Sequence, residues 1–418
     1  MTLSGAFTNC GGFSPLSNSS VSGSQLPQGP ADPAGSAGSA NLTTALNLGS
    51  TAPNVIPVGV GNCGANGYLN EPCVSIQICL HGTTQCQTIP NILLDTGSYG
   101  LRIFSSLVTL NLPQEKDGAG NAIAQCAQFG SANLWGPIQS ADIILGGEPA
   151  VNLPLQLINS SFADLASHPS DCATPDTDPA SSGFNGILGV GLLTYDCGLD
   201  CVTYAANQTY YSCNSANVCT NVVMPLNQQV ANPVAFLPID NNGVILSLPL
   251  VDATGASSIN GTLTLGIGTQ SNNIPGSVKV FSANSFAEFS TTYNNQSMTQ
   301  SFIDSGSNGL FFPDKTIPDC TKSNIASSDF FCPPSSLPLT ATQVSADGLA
   351  TLLTNFSIGN AATEFGLYPT NMGVFNSVGG SGSDSAFDWG LPFFLGRSVF
   401  CGFESTSSAI GKGPYWAY

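Results

Sequence analysis

Positive charge is scarce in this 418-residue chain: seven Lys and Arg stand against 25 Asp and Glu, giving a formal net charge of −18. No Lys or Arg precedes Arg102, so the basic face that nucleic-acid binding requires is missing. Histidine is nearly absent too. His81 and His168 are the only two, which leaves little material for a histidine-rich metal centre or a Ser-His-Asp hydrolase. No apolar run approaches the roughly 20 residues of a membrane span. The opening MTLSGAFTNC carries neither the basic nor the long apolar region of a signal peptide. Helical periodicity is sparse, and the best helix candidates are 225–236 and parts of 345–356.

What is plentiful points in one direction. The chain holds 46 Gly, 28 Pro and 14 Cys. A protein of this length folds without disulfides, so that cysteine density implies an oxidising, extracytoplasmic setting: secreted, periplasmic or cell-surface. Short-range pairs stand out at Cys79/Cys86, Cys197/Cys201, Cys213/Cys219 and Cys320/Cys332. Zinc is the rival reading for 197/201 and 213/219, but no histidine lies nearby and the spacings are irregular, so disulfides are expected and no metal.

Residues 1–52 are Ser-, Gly- and Pro-rich with no sustained period, and read as a disordered tail. From Pro53 the texture changes to short apolar runs broken by Gly, Asn and Pro, an all-β pattern with few short helices. Val74, Ile76 and Ile78 alternate with polar residues, CLHGTTQC reverses the chain, and IPNILLDTGS follows, so a hairpin is expected there. The Cys-rich stretch 194–222 reads as a stapled surface loop, and Trp135 as core.

A repeat emerges when the strands are compared. ILLDTGSYGLRIF (92–104) and SFIDSGSNGLFFP (301–313) share apolar residues, Asp, a hydroxyl, Gly, Ser and a second Gly-Leu, half the chain apart. Asp-Gly tripeptides are common in turns, but Asp-[Ser/Thr]-Gly-[Ser/Thr] is expected by chance only about 0.1 times in such a chain. Each copy is also followed at a similar offset by an apolar-apolar-Gly run: Ile187-Leu188-Gly189, and Phe394-Leu395-Gly396. Facing each other across a low-dielectric cleft, Asp95 and Asp304 could not both ionise cheaply. One would keep a proton while the other drew a proton from a shared water. Gly97 and Gly306 would allow close backbone approach. Ser98 and Ser307 would donate to the carboxylates, and Thr96 and Ser305 would bond across to the opposite loop.

The two motifs make residues 55–418 resemble the pepsin-like, two-lobed aspartic peptidases, within an uncharacterised bacterial branch. The resemblance implies a bilobal all-β fold with an internal two-fold repeat and a central cleft. The lobes would be 53–241 and 242–418, and Asp95 and Asp304 would be catalytic. It implies a polypeptide substrate, no cofactor and a monomer. A flap hairpin would carry Phe129, Gly130 and Ser131, with Phe129 where the family has Tyr. Arg102 stands near where the family often has Trp, and Arg397 follows the second apolar-Gly run in place of Asp. No basic pro-segment can come from 1–101. An acid-acting endopeptidase is the first reading; a catalytically lapsed binding, inhibitory or cell-surface module of the same fold is the second.

Overall fold

The first hairpin shows how the sequence lays down strands. Pro72–Cys79 buries alternate residues and pairs antiparallel with Cys86–Asp95, Cys79 opposite Cys86. A disulfide closes the turn between them. Toward its end Cys86–Asp95 becomes buried on both faces, over Ile92, Leu93, Leu94 and Asp95. The reason is Gly186–Val190, wholly buried, which lies parallel beside it. A continuous apolar run suits a strand covered on both sides. On its other edge Gly186–Val190 pairs antiparallel with Tyr99–Phe104. Asp95 thus ends one strand, Thr96-Gly97-Ser98 turn the chain, and a third strand threads between the two arms.

The second half repeats this plan. Gln296–Ile303 and Leu310–Phe312 flank the short strand Asp388–Trp389, parallel to the first and antiparallel to the second. The computed structural model describes residues 52–64, 67–130, 132–164, 168–320, 330–368 and 373–418. All but the last residue of the expected tail 1–52 lies outside them, as does Ser131. Among the described residues the only α-helices are Pro179–Ser182, Leu199–Thr203 and Ala361–Leu367. The expected all-β class holds.

A shared sheet joins the halves. Val55–Val60, near the start of the described chain, pairs with Ile259–Leu265, which pairs with Gly243–Leu248. That strand continues through Arg397–Gly402 to Tyr415–Ala417 and Val280–Ser282. Beneath the second loop an aromatic stack fills the core, with Trp389 and Phe312 on opposite sides of Phe387 at ring separations of 4.0 and 4.8 Å. Trp135 is core as expected, buried with its ring edge-on to Tyr211.

Six disulfides appear among the described residues. Four are the expected short-range pairs, so the cysteines considered for zinc are consumed. Cys63–Cys73 and Cys126–Cys172 complete the set. Cys401 is a buried free thiol, and Cys10 lies outside the described residues.

Three expectations change. Residues 225–236 form two 3-10 turns, Leu226–Gln228 and Pro233–Phe236, because Pro225 and Pro233 interrupt any longer helix. Part of 345–356 is strand: Thr351–Ile358 pairs along its length with Leu337–Val344, and cross-strand pairing overrides a weak helical period. The Cys-rich stretch is not a detached surface loop. Its strand Tyr210–Cys213 pairs with Ala122–Gln128 and extends that strand's sheet.

Candidate active site

The duplicated turns meet at the centre of the molecule. Asp95 and Asp304 are 1% and 0% exposed and hydrogen-bond each other through their side chains. Each carboxylate sits in the same cradle. Gly97 N–H donates to Asp95 Oδ1 at 2.7 Å and Ser98 Oγ to Oδ2 at 2.5 Å. Gly306 N–H donates to Asp304 Oδ1 at 2.7 Å and Ser307 Oγ to Oδ2 at 2.8 Å. A side chain at position 97 is excluded, since a Cβ there would lie 2.5 Å from the carboxyl carbon of Asp304.

Four bonds lock the loops to each other. Thr96 Oγ1 donates to Ile303 O at 2.9 Å and accepts from Ser305 N–H at 2.9 Å. Ser305 Oγ donates to Leu94 O at 2.7 Å and accepts from Thr96 N–H at 3.1 Å. All four are buried, so losing a hydroxyl strands a backbone donor and acceptor. Thr96→Ala is expected to cost about 2 to 4 kcal/mol, whereas Thr96→Ser keeps the bonds and most of the stability. Urea denaturation of the two variants checks this.

The second threading strand is not where the motif spacing put it. In the first half Ile187 and Leu188 face Leu93 and Leu94. In the second half Asp388 and Trp389 face Phe302 and Ile303, so Asp388-Trp389-Gly390 takes the place expected of Phe394-Leu395-Gly396. Gly390 has the close backbone approach of a crossing strand, and a Cβ there would meet Gly309 O at 2.0 Å. Phe394 belongs instead to the following 3-10 turn, Leu391–Phe394. Leu391, not Arg397, therefore follows the glycine of the crossing strand. Arg397 opens the next strand and lies over the Phe393 ring at 4.6 Å.

This shift brings in a third carboxyl. Asp388, 3% exposed, accepts a 2.6 Å hydrogen bond from Ser307 Oγ, the same hydroxyl that reaches Asp304. The Asp304 carboxyl is pushed well above the usual range, first by burial and then by the negative charges of Asp95 and Asp388. Burial does the same to Asp388, against the opposing bond from Ser307. Sequence reading passed over Asp388 because an apolar-apolar-Gly template was already satisfied six residues downstream. The signal was there: Phe387-Asp388-Trp389-Gly390 has the crossing glycine with an acid in an apolar slot.

The hairpin expected to be the flap is Ala122–Gln128 with Asn133–Leu145, and Phe129 begins its tip. Phe129 packs on the apolar cluster containing Leu93 and Ile187, the strands that carry and flank Asp95. The absent Trp and the Phe at the flap resolve into one arrangement. Arg102, 3% exposed, places its guanidinium 5.6 Å from the Phe129 ring centre, a cation–π contact. The same group donates to Tyr99 O at 2.8 Å and to Asp196 Oδ2 at 2.9 Å. Asp196 also accepts from Gln125 of the flap and from Tyr210 of the Cys-rich stretch. Burial raises the Asp196 carboxyl despite Arg102. Cys126–Cys172 ties the flap's outer strand from the other side. Arg102→Leu would leave Asp196 buried without its cation, costing about 3 kcal/mol at neutral pH. The loss should shrink in acid as Asp196 takes a proton, which thermal melts at pH 4 and 7 would reveal.

Two further features lie outside this centre. A cavity of about 1320 Å³ opens in the C-terminal half among Phe356, Asn360, Glu364, Ser377 and Arg397, and neither Asp95 nor Asp304 lines it. His168 is half-buried, bonded to Ser160 O at 2.7 Å and set edge-on to Trp135. His81 does sit on an exposed hairpin tip, paired with Asp142.

The family described as Protein of unknown function (DUF3443) matches residues 50–418. The chain belongs to this family. No curated protein matches it. Among solved structures it is similar to an aspartic proteinase from Irpex lacteus, at 14% identity and a TM-score of 0.46, over 87% of this chain and 96% of that one. A likeness that distant carries no weight for the chemistry. What this DUF3443 chain can do is argued from its own paired carboxylates.

Proposed function

We propose that the protein is an aspartic endopeptidase, an enzyme that hydrolyses peptide bonds in polypeptides with water activated between Asp95 and Asp304. The observation that carries the reading is the direct contact of two buried carboxyl groups in matching cradles. Asp304 is the partner that keeps the proton, since burial and two neighbouring acids oppose its ionisation. Asp95 is then the base. It takes a proton from a water as that water attacks the peptide carbonyl carbon, while Asp304 gives its proton to the carbonyl oxygen. Collapse of the tetrahedral diol breaks the C–N bond as Asp95 passes its proton to the departing amine and Asp304 takes one back from a diol hydroxyl. The Gly97 and Gly306 amides and the Ser98 and Ser307 hydroxyls fix the carboxylates beforehand, so little reorganisation is needed. The disulfides fit an oxidising compartment, and the site needs no cofactor.

A second reading, a binding module without turnover, is favoured by a specific observation. Both carboxylates are closed from solvent while the cavity of about 1320 Å³ lies elsewhere. Digestion of a peptide library between about pH 3 and 7, with and without a statine-type transition-state analogue, separates the two. Cleavage below neutral pH that the analogue blocks supports the peptidase. No cleavage and no binding of the analogue at any pH leaves the binding module.

A further inference from the structure

We propose that Asp388 is a positioning residue, a third proton-holding carboxyl that acts through Ser307 to govern Asp304 and sets the upper pH limit of the site. This rests on the peptidase reading above for its consequence, though not for its geometry. Three observations carry it. Asp388 stands where the first half has Ile187, so the strand crossing itself has no need of an acid at that place. Ser307 Oγ lies 2.8 Å from Asp304 Oδ2 and 2.6 Å from Asp388 Oδ2, so one hydroxyl proton serves two carboxyls. Among the described residues Asp388 Oδ1 is buried with no hydrogen-bond partner, an orphan that a charged carboxylate tolerates poorly.

The protonation state of Asp388 decides which way Ser307 points. When Asp388 carries a proton on Oδ2, it donates to Ser307 Oγ, and the serine hydroxyl donates onward to Asp304. When Asp388 loses that proton, both carboxyls compete for the single Ser307 hydrogen. The charged groups acting on Asp388 and Asp304 are each other and Asp95. The residues facing Asp388 across the strands are Phe302 and Phe311, which are uncharged. Among the described residues nothing offsets that negative charge, so each proton lost makes the next harder to remove and the carboxyls titrate as one unit in separate steps.

Asp388→Asn tests this, because its amide can donate to Ser307 at every pH. In the wild type the alkaline fall of log(kcat/KM) should be broad, beginning with the first proton lost and exceeding a one-proton slope only past the second. In Asp388→Asn it should become a single one-proton fall that is complete at lower pH, because no charge at position 388 then holds the Asp304 proton in place. Ser307→Ala should uncouple position 388, so that adding Asp388→Asn changes the profile no further. A second readout needs no turnover: the pH dependence of the urea midpoint. The wild-type midpoint should decline from pH 4 to 7 more steeply than that of Asp388→Asn, and the difference should shrink in an Asp304→Asn background. Parallel wild-type and Asp388→Asn curves in the urea experiment would overturn the proposal, whatever the enzyme assays give. Coupled urea curves in a protein that cleaves nothing would retain the three-carboxyl unit and remove the peptidase reading instead.

Discussion

If the proposed peptidase reading holds, Asp95→Asn is expected to lower kcat/KM by about a thousandfold or more, because it removes the base proposed to deprotonate the attacking water. Asp304→Asn should do the same by removing the proton donor. Neither change should unfold the protein. Asp304 is a buried acid whose ionisation is opposed by burial, Asp95 and Asp388, so an amide there spares the native state that cost as the pH rises. Turnover and stability should therefore move in opposite directions for Asp304→Asn at neutral pH. A residue that merely held the loops together would lose both. Steady-state kinetics on the best library peptide, alongside thermal melts at pH 7, read the two quantities in parallel.

The second large effect is a loss of stability as the solution becomes neutral. Glu71 is buried, its carboxyl is pushed up to about 8 by desolvation, and one of its oxygens has no partner among the described residues. Glu364 is pushed up to about 7 for the same reason, partly opposed by its bond from Ser377. For such groups the folded state binds protons more tightly than the unfolded chain. Their contribution is complete below about pH 4.5, the ordinary glutamate value, and is lost as pH rises toward 8 for Glu71 and toward 7 for Glu364. For Glu71 alone the loss at pH 7 is about 3 kcal/mol. Glu71→Gln should match the wild type near pH 4 and exceed it by about that amount at pH 7, as urea denaturation across the range would show. Carboxyls that are paired or capped in the exposed shell, such as Asp117 and Asp347, are lowered by their hydrogen bonds and work the other way. They lie at the surface, where solvent screening keeps their weight small.

The sequence carried the two Asp turns openly because a turn that must present an acid has few alternatives. Asp, a hydroxyl residue, Gly and Ser recur at fixed spacing in both halves, and the same four positions make the cradle bonds. The four short-range disulfides were visible for a related reason: cysteines close in sequence are close in space. Cys126–Cys172 spans 46 residues and joins the flap strand to a separate turn, so no local signal marks it. Arg102 looked like a departure from a family pattern. Only the fold shows that it meets Phe129 and Asp196, and that Gln125 and Tyr210 converge on the same Asp196, from segments scattered over residues 125–210. The crossing strand of the second half was misplaced because periodicity weighs apolar character, and Asp388 interrupts it. Functional sites are where such local rules break.

The account depends on Asp95 and Asp304 acting as one titrating pair, and carbon-13 NMR of the Asp304 side-chain carboxyl tests that without any substrate. In the wild type this carboxyl should titrate well above the ordinary aspartate range. In Asp95→Asn it should move down, remaining somewhat elevated because burial persists. An Asp304 titration that Asp95→Asn leaves unchanged would contradict the pairing, and with it the activated water.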